Sequence, residues 1–436
     1  MDASVKLLRR CCASLLLYQS VLNNPVGKAF IDLLQALHQI ELMQALRHSD
    51  IDEIACIQAY ATWFKAIAQT NQSWQDFLVT QLLLDDNPFS RQAQHTDIVH
   101  LPHTLIAATK QDLQYLQLLY QCSSDNLSQW VQAATNLAVA PVAWYDNAGE
   151  KTSMHIKLKQ LDNWADAIAD LAAYYQQYGT GLFAQYPALR WQSGHFIGIN
   201  TPDPVQVNDL AGYEYQKEEL LKNTEFLLAG YPALHVLLYG SRGSGKSSLV
   251  KGLLHKYRDR QLRIIEVAKS DLQDLPTILE QLRGAAAKFI IFVDDLSFEE
   301  DDDAFKALKV VLEGNLTARP QNVVVYATSN RRHLIREFFS DRPRPSNSDE
   351  VHAWDTLQEK LSFSDRFGLT MTCESADQPT YLNIVRHLAA QAKINISQED
   401  LEHRALQWAT RHNGRSGRTA RQFIDFLQAE IADRIC

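Results

Sequence analysis

Leu237-Leu238-Tyr239-Gly240-Ser241-Arg242-Gly243-Ser244-Gly245-Lys246-Ser247-Ser248 reads as the end of a buried strand, a glycine-rich loop and the start of a helix in one run. The apolar run from Ala233 to Tyr239 supplies the strand, and four residues separate Gly240 from Gly245-Lys246-Ser247, the G-x-x-x-x-G-K-[ST] spacing. Glycines at 240, 243 and 245 open backbone angles closed to other residues, so successive N–H groups turn inward around an anion. The helix that starts near Lys246 aims its positive end at the same anion. The loop from Gly240 to Ser248 is therefore expected to cradle nucleotide phosphates, with Lys246 reaching the β and γ groups and the Ser247 hydroxyl ligating Mg²⁺.

Downstream, strands and helices alternate. Leu262 to Val267, Phe289 to Val293 and Val323 to Ala327 are short continuous apolar strands, separated by helices over 272–282 and 304–312. That pattern predicts a parallel sheet covered on both faces, with ligands at the carboxyl ends of its strands. Asp294-Asp295 follows the second of these strands, so Asp294 is expected to hold Mg²⁺ and Asp295 to polarise the attacking water. Thr328-Ser329-Asn330 ends the third, where the Asn330 amide is expected to orient the water or touch the γ-phosphate. Upstream, a helix over 216–229 follows Leu210-Ala211-Gly212-Tyr213; Leu210 and Tyr213 are candidates for packing on an adenine ring, or for plain packing against the sheet. The acidic run Glu299 to Asp303 reads as a solvated helix start, and Arg342 to Ser348 as a mobile loop.

Residues 1 to about 135 place apolar side chains at helical spacing, as in Phe30, Leu33, Leu34 and Leu37, with Trp63, Trp74 and Trp130 as core filler. His95, His100 and His103 fall in a helix-breaking loop between Asp85 and His103. Val142 to Tyr145, then Asp146-Asn147-Ala148-Gly149, then alternating Met154, Ile156 and Leu158, predict a hairpin. A helix over 163–177 is stopped by Gly179-Thr180-Gly181, and Gly194 to Pro204 reads as a linker.

The 436 residues predict two or three domains. The net charge of −9 is shared as −5 before residue 200 and −4 after it, which gives no indication of nucleic-acid or anionic-membrane binding. Six scattered cysteines fit free thiols in a reducing compartment. The N-terminal Lys6, Arg9 and Arg10 ahead of Leu15-Leu16-Leu17 imitate a signal peptide, but no cleavage site follows; a first amphipathic helix and a cytoplasmic location are expected.

With Gly240 to Ser247, Asp294-Asp295 and Asn330 in place, residues 205–436 resemble the AAA+ ATPases, nearest to the bacterial family of AAA+ ATPases filed as a domain of unknown function. Gly212-Tyr213-Glu214, Asn223-Thr224 and Leu361-Ser362-Phe363-Ser364-Asp365-Arg366-Phe367-Gly368 also carry the resemblance. It implies an α/β core with helices on both faces of a parallel sheet (201–375) and a small helical lid (376–436). A mainly helical domain (1–200) is expected to precede these and to meet a protein partner or client. ATP with Mg²⁺ then binds between core and lid, in a homo-oligomeric ring such as a hexamer. Arg366 looks like an arginine finger offered to a neighbouring subunit. The lid helices are read from Pro379, from Ser397-Gln398-Glu399-Asp400 and from Ser416-Gly417-Arg418-Thr419-Ala420-Arg421; Arg421 is the favoured second sensor, with Arg418 as the alternative. Asp295 stands where glutamate is more usual, which sets its carboxylate back from the water. The implied activity is an ATP-driven remodeller. The alternatives are an ATP-dependent assembly switch and, on analogy alone, a loader of a factor on DNA.

Overall fold

In the computed structural model the described residues are 2–45, 53–145, 152–298, 303–313, 320–331, 334, 363–412 and 414–433. Two compact units divide between Gln185 and Tyr186.

The first unit is helical: α1 (Asp2–Ser14), α2 (Pro25–Ala45), α3 (Glu53–Ala68), α4 (Trp74–Leu84), α5 (Pro88–Ala93), α6 (His103–Gln121), α7 (Ser124–Thr135), α8 (Ser153–Gln160), α9 (Ile168–Tyr178) and α10 (Gly181–Gln185). Side-chain caps explain several of the starts. Ser73, Asn87 and Ser123 each accept backbone N–H bonds from the turn they open, and Pro88 sits where its missing N–H is harmless. Trp63 and Trp74 are core residues, and Trp130 packs half-buried against the same core. The fully buried Asp112 accepts the N–H groups of Leu16 at 2.9 Å, Leu17 at 2.7 Å and Tyr18 at 3.0 Å, which satisfies the chain where it leaves α1. Asp85 accepts from Ser20 and from Asn87, and burial pushes its carboxyl up to about 6.

The hairpin expected around residues 138–161 does not form. No strand is assigned to Val142–Tyr145, the expected turn Asp146 to Gly149 lies outside the described residues, and Met154 to Leu158 lie on α8. Met154 and Leu158 are neighbours at i,i+4 on a helix as well as on one face of a strand, and the Thr152 cap selects the helix. Ile156, between them, is exposed. Gly179 ends α9 with φ +74°, as expected of a glycine stop.

The second unit is built on a seven-stranded sheet: β1 (Ala188–Gln192), β2 (His195–Gly198), β3 (Val236–Gly240), β4 (Leu262–Glu266), β5 (Lys288–Val293), β6 (Val323–Ser329) and β7 (Leu369–Cys373), in the order β2-β1-β4-β5-β6-β3-β7. Every neighbouring pair is parallel except β1 and β2. Helices α11 (Glu214–Leu228), α12 (Lys246–Tyr257), α13 (Leu275–Leu282) and α14 (Asp303–Glu313) accompany it. β3, β5 and β6 read as unbroken apolar runs because both of their faces are covered.

Three helices, α15 (Gln378–Gln391), α16 (Gln398–Arg411) and α17 (Gly417–Asp433), close on a core of their own around Tyr381, Val385, Ala405, Phe423 and Leu427. Asp377 and Ser397 cap the first two. This is the parallel α/β core with a small helical lid that the resemblance implies.

The expected linker over 194–204 is in part a hairpin. Ser193 and Gly194, at φ +52° and +84°, turn β1 into β2, and β1 pairs with β4, so the sheet begins before the boundary expected near residue 200. Arg342 to Ser348 and Glu299 to Asp302 lie outside the described residues, as do Leu361 and Ser362; Asp303 opens α14. Among the described residues no helix is long and apolar enough to cross a membrane.

Candidate functional site

The sheet order sets β3 between β6 and β7, with β5 one strand further on. Their carboxyl ends therefore deliver the glycine loop, Asn330 and the acid pair to one place. There a cleft of about 710 Å³ opens, lined by Arg242 to Leu249, Asp294, Asp295, Thr328 and Asn330 from the core and by Ile384, Leu388, Arg418 and Arg421 from the lid.

The loop geometry follows from its glycines. Gly240 has φ +135°, and a Cβ there would lie 2.0 Å from the Cys373 carbonyl oxygen, so only glycine lets β3 and β7 meet at this point. At Gly243 a Cβ would come within 2.9 Å of Ser416 Oγ and 3.1 Å of Arg418 Cβ, while the Arg418 N–H donates to the Gly243 carbonyl at 3.2 Å. The start of α17 thus rests on the glycine loop. Arg242, Gly243, Ser244, Gly245, Lys246, Ser247 and Ser248 face the cleft. Gly240 and Ser241 do not line it; the Ser241 N–H donates to Cys373 O at 3.0 Å, and its hydroxyl takes a bond from Ser375.

Lys246 is buried, and its ammonium donates to the carbonyls of Gly240 at 3.0 Å and Ser241 at 2.7 Å, with Asn330 Oδ1 at 3.4 Å. Burial lowers its pKa, opposed by the thiol of Cys373 and the carboxylates of Asp294 and Asp295 and reinforced by the charge of Arg418. The same burial pushes the Cys373 thiol up to about 11.

Ser247 Oγ donates to Asp294 Oδ1 at 2.6 Å. Thr328, two residues before Asn330 on β6, donates its hydroxyl to the same carboxylate oxygen and accepts the Asp295 N–H at 3.0 Å. Asp295 itself has φ +51°, a left-handed backbone that aspartate tolerates better than most residues. Its carboxylate accepts from Asn330 Nδ2 at 2.5 Å. Asn330 therefore turns its oxygen to the lysine ammonium and its nitrogen to the carboxylate, the orientation that electrostatics requires.

Leu210 and Tyr213 line the cleft and also pack on the sheet core. The Tyr213 hydroxyl donates to Glu374 O at 2.6 Å, and burial pushes it up to about 12. Arg418 and Arg421 both face the cleft, exposed at the first turn of α17. Arg366 does not line it: it sits half-buried at the end of a short turn, Phe363–Arg366, with its guanidinium 6.0 Å from the Phe363 ring centre.

Sequence reading overlooked Thr328 as a ligand of the acid pair; the signal was a polar residue closing an apolar strand two positions before Asn330. It also overlooked Asp209, Ile384 and Leu388, which reach the cleft from segments far apart in the chain.

The family described as "Protein of unknown function (DUF815)" matches residues 184–431. The 26S proteasome regulatory subunit 6B homolog of Dictyostelium discoideum is 23% identical over 228 residues, covering 44% of this chain and 57% of that protein. The chain thus spans little more than half the length of that relative. Among solved structures, the RuvB Holliday junction branch migration motor of Thermotoga maritima is 16% identical, with 51% of this chain and 72% of that chain covered at a TM-score of 0.33. The FIGL-1 AAA domain in complex with ADP is 18% identical, with 53% and 76% covered at a TM-score of 0.36.

Proposed function

The chain belongs to the family described as protein of unknown function DUF815, with AAA+ ATPases among its relatives, and from that premise we propose that it binds and hydrolyses ATP with Mg²⁺ in a homo-oligomeric ring to remodel or load a macromolecular client. The observation that carries this reading is the meeting of Lys246, Ser247, Asp294, Asp295 and Asn330 in one cleft, from three strand ends spread over 85 positions of sequence.

The Ser247 hydroxyl and the Asp294 carboxylate are hard oxygen donors already within 2.6 Å of each other. They fit a Mg²⁺ ion, which takes one or two protein oxygens and fills the rest of its octahedron with water and phosphate. Held by Ser247 and Asp294, such an ion would neutralise phosphate charge. Lys246 exchanges its bonds to the Gly240 and Ser241 carbonyls for phosphate oxygens. The N–H groups of Arg242 to Ser248 and the start of α12 hold the same oxygens. Asp295 orients and polarises the water, and Asn330 turns from Asp295 towards the γ-phosphate when that group is in place. Leu210 and Tyr213 pack on the adenine. Arg421, with Arg418 beside it, reports phosphate occupancy to the lid, and Arg366 of one subunit completes the site of its neighbour. The helical first unit selects a protein client. The protein acts in the cytoplasm, where its thiols stay reduced.

The test is ATP turnover measured against protein concentration. The rate per subunit is expected to rise as oligomers assemble and to vanish in Lys246→Ala and in Arg366→Ala. Turnover independent of assembly overturns the shared site, and nucleotide-driven assembly without turnover replaces the motor by an assembly switch.

A further inference from the structure

Helix α15 of the lid meets the core along one stripe. Thr380, Ile384 and Leu388 are spaced four apart and Gln391 follows three further on, so all four share a face of the helix. At the start of the stripe Thr380 sits on Gly212, where a Cβ would come within 3.1 Å of its methyl group. In the middle Ile384 and Leu388 line the cleft. At the end Gln391 Nε2 donates to Asp209 Oδ1 at 2.8 Å, a bond between residues 182 positions apart. Both partners are held in place. The second oxygen of Asp209 accepts the Gln206 N–H at 3.0 Å and closes the short turn Val207–Asp209. The Gln391 amide nitrogen also lies 3.2 Å from His387 Nε2, one helical turn back. An amide nitrogen only donates, so its two hydrogens meet a carboxylate and an imidazole nitrogen. Asp209 lines the cleft, whereas Gln391 and His387 do not.

We propose that Gln391 is a positioning residue: its bond to Asp209 clasps α15 onto the core, and breaking that bond gates the entry and exit of the nucleotide. The proposal rests on the reading of the cleft as an ATP site given above. Leu210 and Tyr213 line the cleft from the core and Ile384 and Leu388 from the lid, so the stripe that Gln391 holds down is the one a base on Leu210 meets. The bond is exposed to solvent and therefore weak enough to open within a catalytic cycle. It contains no ligand atom, so it contributes equally in the free and the bound protein. A restraint of that kind alters the rates of exchange and leaves the equilibrium affinity where it was. A side chain that touched the nucleotide would change the affinity instead.

Stopped-flow mixing of the full chain with mant-ADP and Mg²⁺ reads association, and displacement of the bound label by excess ADP reads dissociation. Gln391 is exposed at the end of its helix, so its variants are expected to fold. Gln391→Ala is expected to raise both rate constants together by about two- to tenfold, the size of one hydrogen bond, with Kd within about twofold of wild type. Gln391→Glu sets carboxylate against carboxylate and is expected to raise both rates further. Gln391→Lys offers an ammonium to Asp209 and is expected to slow both below wild type. In Asp209→Asn/Gln391→Glu the amide and the carboxylate exchange places, and both rates are expected to return to near the wild-type values. Unchanged rates in Gln391→Ala and Gln391→Glu overturn the proposal, as do rates that ignore the charge placed at 391. So does faster release matched by weaker affinity, because the cleft itself is then damaged. A wild-type chain that fails to bind mant-ADP removes the nucleotide reading and the proposal with it, whereas tight binding with rates indifferent to Gln391 removes the clasp alone.

Discussion

Thr328 is the residue on which the geometry of the acid pair turns, and Thr328→Val isolates its hydroxyl at nearly constant volume. The side chain is 2% exposed. The substitution removes a bond to the Asp294 carboxylate and leaves the Asp295 N–H only its second acceptor, Asp294 Oδ1 at 3.2 Å. A hydrogen bond to a charged group contributes about 1.5–3 kcal/mol. With part of the loss recovered by water at the exposed carboxylates, a net destabilisation of about 2 kcal/mol is expected, or roughly 4–8 °C in melting temperature for a unit of this size. Asp294 keeps its 2.6 Å bond from Ser247, so its place is weakened rather than lost. If about 1.4 kcal/mol of the change falls on that carboxylate, the Mg²⁺ concentration giving half-maximal ATP turnover rises about tenfold. Thermal unfolding by circular dichroism and a Mg²⁺ titration of turnover measure the two effects, and Thr328→Ser is expected to retain most of both. A Thr328→Val protein that melts with wild type and has an unchanged Mg²⁺ midpoint refutes the role given to the hydroxyl.

Asp295→Asn is expected to keep Mg·ATP affinity within a few fold while turnover falls at least a hundredfold, read by equilibrium binding beside phosphate release; retained turnover removes Asp295 from the chemistry. Gly240→Ala places a methyl 2.0 Å from the Cys373 carbonyl at φ +135°, so loss of soluble, cooperatively melting protein is expected, and a normal melt contradicts the packing of β3 on β7. The pH dependence of the first unit follows from Asp85, whose folded pKa of about 6 lies above its unfolded value near 4. A raised carboxyl favours folding when protonated, so its contribution is fully present below about pH 4 and is lost as pH rises through 6. The ceiling is about 3 kcal/mol. In urea unfolding, the difference in stability between wild type and Asp85→Asn should therefore shift in favour of wild type between pH 7 and pH 5; a pH-independent difference disproves it.

The core of the site was legible because its chemistry is written in contiguous residues. Strand, glycine loop and helix start follow one another at 236–257, and each acidic or amide residue sits directly after an apolar strand that can be recognised alone. Where a pattern served two structures, reading failed. Met154 to Leu158 alternate and also recur at i,i+4, and a cap outside the pattern decided for the helix. β1 and β2 were passed over because Gly194 to Pro204 is rich in turn residues, although Ser193-Gly194 between alternating runs is itself a hairpin signal. β7, an edge strand of alternating Leu369-Thr370-Met371-Thr372-Cys373, carries too few apolar residues to stand out, yet its last carbonyl is what makes Gly240 obligatory.

By itself the order of residues determined that a glycine-rich loop precedes a helix, that carboxylates follow one parallel strand and an amide another, and that a small helical lid comes last. All of these depend on interactions within about ten residues. Which strand lies beside which, the Thr328 hydroxyl on Asp294, the seating of Arg418 on Gly243, and the exclusion of Arg366 from the cleft of its own chain were decided only by the tertiary structure. Those contacts join segments up to about 175 positions apart, and no local spacing encodes which distant partners meet when the apolar faces of a sheet are buried.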